Sequence, residues 1–123
     1  MPLVLFEIRD NIALLTLNNP EKRNMLTLEV CEMIVDYVAQ AEQQPDVKAL
    51  IVTGNGPTFC AGGQLTDITA DQLILENIYS GFLSIAQCEL PTIAAVNGPA
   101  VGAGFNMAVG CDVRIVTEKA RFE

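Results

Sequence analysis

The 123-residue chain contains no histidine. It therefore offers no Ser-His or Cys-His nucleophile pair and no imidazole ligand for a metal. Basic residues are scarce: 7 Lys+Arg against 15 Asp+Glu give a formal net charge of −8. That balance argues against a dedicated nucleic-acid binder, which needs Lys and Arg set against phosphates. It argues equally against docking on an anionic membrane. No apolar run is long enough to cross a bilayer. Met1 to Leu5 lack the basic region and small-residue cleavage site of a secretion signal, so a cytoplasmic protein is expected. The four cysteines, Cys31, Cys60, Cys88 and Cys111, form no CxxC pair and no zinc-ribbon spacing. Each sits in an apolar run and reads as a small buried thiol in a reducing compartment.

What is present is a folding composition. Hydrophobic residues make up 50% and charged residues 18%, enough for one domain with a core. Leu3 to Ile8 and Ile12 to Leu17 read as a hairpin around Arg9-Asp10-Asn11. Thr27 is a helix N-cap, and Leu28, Cys31, Val35 and Val38 predict an amphipathic helix over about 28–43. The run Ala49 to Thr53 predicts a strand buried on both faces, and Thr92 to Val96 another. A second helix is expected from about Asp71 to Cys88, with Ile74, Ile78, Phe82 and Ile85 on one stripe. A short helix over about Gly104 to Val109 and a strand from Asp112 to Val116 complete an alternating α/β order.

Two segments share one design. In Ala49 to Leu65 (with FCAGG) and Thr92 to Met107 (with NGPAVGAG), a strand ends in a turn and small residues precede a helix. Small residues allow close approach to the backbone and leave N–H groups unblocked. Two such loops aimed at one point would form a pair of backbone donors suited to an oxyanion. The alternative is that the glycines only permit tight turns and close packing. Nucleotide motifs fail on particulars: no Gly-Lys pair exists for a P-loop, and Met107 stands where GxGxxG needs its third glycine.

FCAGGQL and NGPAVGAGFNMAVGCDVRI, together with PEKRNML and ALIVTGNGPTFCAGG, resemble the enoyl-CoA hydratase/isomerase (crotonase) family in order and spacing. The resemblance implies an α/β fold, a superhelix of β-β-α turns forming two near-perpendicular sheets, with 1–123 as the N-terminal part of one domain. It implies an acyl-CoA thioester as substrate, with CoA arriving as part of it and no separate cofactor or metal. The oxyanion donors would be the N–H groups of Gly63 and Ala103. Relatives often carry glycine at the Ala103 position, and alanine keeps the N–H. Lys22 and Arg23 would pair with CoA phosphates or stand as solvated loop charges. Met25, Leu26, Ala61, Gln64, Leu65, Val101 and Gly102 would line the CoA and acyl channel.

Asn106 occupies the place of a catalytic hydratase glutamate. An amide cannot act as a general base near neutral pH. The resemblance therefore favours a double-bond isomerase over a two-glutamate hydratase. The second acid/base group of the family falls a few residues past Phe122, so residues 1–123 alone are expected to be inactive. A non-catalytic acyl-CoA-binding or assembly subunit, or an inactive fragment, is the alternative. Family members assemble as trimers or hexamers. A protease of the related fold finds no serine in either loop.

Overall fold

In the computed structural model, which describes residues 1–63 and 72–123, β1 (Val4–Arg9) and β2 (Ile12–Leu17) form the expected hairpin. Asp10 (φ 51°) and Asn11 (φ 68°) are both left-handed, the geometry that matches a two-residue turn to the strand twist. Helix α1 (Leu28–Gln43) follows, capped by the Thr27 side chain, which accepts from the Val30 N–H. Next come β3 (Ala49–Gly54), α2 (Gln72–Ala86), β4 (Thr92–Val96), a two-residue β5 (Pro99–Ala100), α3 (Ala103–Gly110), β6 (Val113–Val116) and a two-residue β7 (Arg121–Phe122).

The main sheet has the order β1-β2-β3-β4-β6, antiparallel at the hairpin and parallel thereafter. Register pairs Leu17 with Gly54, Thr53 with Ala95, and Val96 with Val116. The four parallel strands thus end at one level, and the segments leaving them collect on one edge. Beyond that edge these segments pair again in the same order. Leu26 bridges Gly63, Cys60 bridges Ala100, and β5 pairs with β7, all in parallel.

Two packing expectations need correction. The core face of α1 is Val30, Cys31, Ile34, Val38 and Ala41, whereas Val35 is exposed and lines a shallow cleft with Cys31 and Ser80. The apolar stripe is turned from the expected one because α1 packs on both the sheet and α2. Strands β3 and β4 are buried on one face only: Leu50, Val52, Ala94 and Val96 are covered, while Ile51 and Ile93 are half-buried. Helices α1, α2 and α3 all contribute to the core on the covered face. In α2, Phe82 and Ile85 are buried as expected. Asp71 and the side chains of Ile74 and Ile78 lie outside the described residues.

The far edge is strongly apolar. Phe105, Val109, Val113, Ile115, Val116 and Phe122 are all exposed, with Phe105 and Phe122 in edge-on contact. Arg114 ties this edge together by donating to the carbonyls of Ala108, Val109 and Cys111 at the end of α3. Asp112 and Thr92 clamp β4 to the start of β6. The Asp112 carboxylate accepts from the Thr92 N–H, and the Thr92 hydroxyl oxygen accepts from the Asp112 N–H, both at 2.9 Å. Asp112→Ala is therefore expected to lower stability by about 1–3 kcal/mol in chemical denaturation. An unchanged midpoint would contradict the clamp.

Candidate active site

The segment from Thr58 to Gly63 runs between two others. On one side lie residues 23–26: the Ala61 N–H donates to the Arg23 carbonyl (2.9 Å) and the Leu26 N–H to the Gly62 carbonyl (2.7 Å). On the other lie residues 97–101. The N–H groups of Phe59 and Cys60 both donate to the Pro99 carbonyl, and the Val101 N–H donates to the Cys60 carbonyl. The two glycine loops named from the sequence thus meet.

Their contact is close because both carry glycine where it is needed. Gly62 (φ 102°) and Gly102 (φ 59°) are left-handed. A methyl on Gly62 would stand 3.0 Å from the Val101 carbonyl oxygen and 3.8 Å from the Ala103 nitrogen, and one on Gly102 would reach the Gly62 Cα at 4.0 Å. Gly104 lies against the Cys60 backbone with no space for a side chain. Ala103 opens α3, so its N–H has no acceptor within the helix. Among the described residues, neither the Gly63 N–H nor the Ala103 N–H has a hydrogen-bond acceptor. The Gly102 N–H is spent on the Glu123 carbonyl (2.8 Å).

The other anticipated residues fall as follows. Ala61 and Val101 are half-buried beside the meeting point, and Gly102 is exposed there. Lys22 and Arg23 are exposed. The ion pair among the described residues is Arg9–Glu7, so neither cation is neutralised in this way. Met25 is half-buried. Leu26 is fully buried, so it serves the site through its backbone and not as a lining side chain. Gln64 and Leu65 lie outside the described residues. Asn106 is exposed, with its N–H donating to the Gly102 carbonyl (3.0 Å). Its side-chain amide has no partner among the described residues.

A set of asparagines braces these segments. Asn24 is buried and left-handed (φ 56°); its Oδ1 accepts from the Asn19 N–H, and its Nδ2 donates to the Asn55 and Thr58 carbonyls. Asn97 Oδ1 accepts from the Gly54 N–H, and its Nδ2 donates to the Gly56 and Thr58 carbonyls. Asn55 Nδ2 donates to Asn18 Oδ1. A sequence signal exists for Asn18, Asn55 and Asn97 but not for Asn24: Asn18-Asn19-Pro20, Asn55-Gly56-Pro57 and Asn97-Gly98-Pro99 repeat one Asn-x-Pro pattern after β2, β3 and β4.

A sequence model described as Enoyl-CoA hydratase/isomerase matches residues 7–123. The chain belongs to the enoyl-CoA hydratase/isomerase family. It is 43% identical, over 98% of its own length and 49% of the relative's, to a probable enoyl-CoA hydratase, EchA14, of Mycobacterium tuberculosis. It is 32% identical to the 1,2-epoxyphenylacetyl-CoA isomerase of Escherichia coli K12, over 99% and 50% of the two chains. Among solved structures, an enoyl-CoA hydratase/isomerase from Xanthobacter autotrophicus superposes with TM-score 0.91 at 33% identity, over 98% of this chain and 48% of that one. The chain spans about half the length of the curated relatives it matches. These solved relatives share its fold, so the expected crotonase-like architecture is the observed one.

No disulfide joins the cysteines of this family member. Burial pushes the Cys60 thiol up to about 11, against a hydrogen bond from the Gly62 backbone; burial raises Cys111 to about 11 and Cys31 to about 12. Folding keeps these thiols protonated beyond their ordinary value of 9.0, so their contribution is complete below pH 9 and is lost as pH rises from 9 through about 11 for Cys60 and Cys111 and about 12 for Cys31. Thermal unfolding followed from pH 7 to 11 should show stability falling only above pH 9. In the native state at pH 8, the half-buried Cys88 should react first with a thiol reagent. Rapid labelling of Cys60 would contradict this burial.

Proposed function

We propose that the meeting of the two loops is an oxyanion hole in which the N–H groups of Gly63 and Ala103 receive the carbonyl oxygen of an acyl-CoA thioester. The observation that supports this most is the juxtaposition of Gly62 with Val101 and Ala103, which leaves two neighbouring backbone donors without acceptors among the described residues. The thioester carbonyl is a weak acceptor in the ground state. Removal of an α-proton moves charge onto its oxygen, so fixed donors stabilise the enolate-like transition state more than the substrate. The α3 dipole adds to the effect, since Ala103 is its first residue. In this reading Lys22 and Arg23, exposed on the loop stitched to this site, pair with CoA phosphates.

Movement of a double bond along the acyl chain is the reaction we favour. It needs one group to carry a proton, and Asn106 at the head of α3 cannot serve as a second base. Hydration is the second reading, favoured by the names of relatives such as EchA14. In either reading residues 1–123 supply the binding and electrostatic part of the site. The reading also takes the working assembly to be a homo-trimer or hexamer in the cytoplasm.

Ala103→Pro tests the hole directly. Proline is tolerated at the first helical position; its ring methylene takes the place of the N–H hydrogen, so the variant removes the donor and narrows the space in front of it. In the protein at its natural length, kcat for α-proton exchange in D2O should fall about 10²–10³-fold with melting temperature nearly unchanged. Unchanged exchange would rule Ala103 out as a donor. Asn106→Ala should cost less than about tenfold if the amide carries no proton. A β,γ-unsaturated acyl-CoA should be converted to its α,β-isomer faster than water is added. Hydration as the faster outcome would select the hydratase reading.

A further inference from the structure

The amides of Asn24 and Asn97 converge on one carbonyl, that of the buried residue Thr58, at 2.8 and 3.2 Å. Each amide has its orientation fixed. A backbone N–H can only donate, so the oxygen faces the Asn19 N–H in Asn24 and the Gly54 N–H in Asn97. Both nitrogens are thereby committed to carbonyls, of residues 55 and 58 for Asn24 and of 56 and 58 for Asn97. Thr58 begins the segment that carries Cys60, Ala61, Gly62 and Gly63. Downstream of it the main chain alone continues the stitching, through Arg23–Ala61, Gly62–Leu26, Pro99–Cys60 and Cys60–Val101. Asn24 belongs to the segment on one side and Asn97 to the segment that leads into Val101 and Ala103.

We propose that Asn24 and Asn97 are positioning residues for the thioester carbonyl: by gripping the Thr58 carbonyl between them, they set the spacing of the Gly63 and Ala103 N–H groups. The two loops come from different strands, and a single bridge, Cys60 with Ala100, joins them directly, too little regular pairing to fix their separation alone. Two side-chain amides sharing one acceptor lock the loops to each other at their common base. This inference rests on the oxyanion reading above.

The test uses the protein at its natural length and a saturated acyl-CoA, butanoyl-CoA labelled with 13C at the thioester carbonyl. Isotope-edited infrared difference spectra report how far that carbonyl is polarised when bound. Asn24→Asp and Asn97→Asp keep each accepted N–H bond and remove the donors to Thr58. Asn24→Gly, which tolerates the left-handed backbone, and Asn97→Ala are second variants that avoid placing a carboxylate against carbonyls. Asn18→Ala is the control: it removes bonds to the Pro2 carbonyl and the Asn55 amide but touches nothing at Thr58.

The expected result is a loss of at least half the carbonyl shift and of at least about tenfold in kcat in the Asn24 and Asn97 variants. KM should change little, and Asn18→Ala should behave as the native protein. Folded variants that keep the full shift and kcat would overturn the proposal, leaving the amides structural only. So would failure of all four variants to yield folded protein. A native protein whose bound thioester shows no shift would bring down the oxyanion reading itself, a result distinct from loss of the shift in the variants.

Discussion

The site depends on four parallel strands ending at one level. Register aligns Leu17 with Gly54 and Val96 with Val116, so the chain leaves β2, β3, β4 and β6 along a shared edge. Each departing segment then finds the same neighbours it had in the sheet. Leu26, the 60–63 segment, β5 and β7 pair in that order. Glycines sit where backbone meets backbone: at 62 and 104 a side chain would crowd the facing loop, and at 62 and 102 φ is positive.

Such a layer has little of the regular ladder that stabilises a sheet. Single bridges and two-residue strands leave many backbone groups to be satisfied by other means. Side-chain amides fill that role. Asn18, Asn24, Asn55 and Asn97 present donors and acceptors to the turns after β2 and β3. Among the described residues, no buried side-chain nitrogen or oxygen lacks a partner. Against this background, the N–H groups of Gly63 and Ala103 stand out, since neither has an acceptor among the described residues.

Much of the fold was legible in the sequence, because helix and strand periods report local structure. Thr27 and the apolar spacing located α1 over 28–43, and TIAAV located β4. The sequence misled on which side chains face inward. Val35 shares the helical spacing but lies on the flank, and Ile51 and Ile93 belong to a face that remains half open. β5 and β7 were not legible, since two residues carry no period and become strands only through distant partners. Glycine-rich composition disclosed where the loops approach. It did not disclose Asn24, whose amide acts on residues 31 and 34 positions away.

The most direct measurement is a crystal structure of the protein with a bound acyl-CoA thioester. The account predicts the thioester oxygen about 2.7–3.1 Å from both the Gly63 and the Ala103 nitrogens. A thioester seated elsewhere, or held by only one of the two, would contradict it.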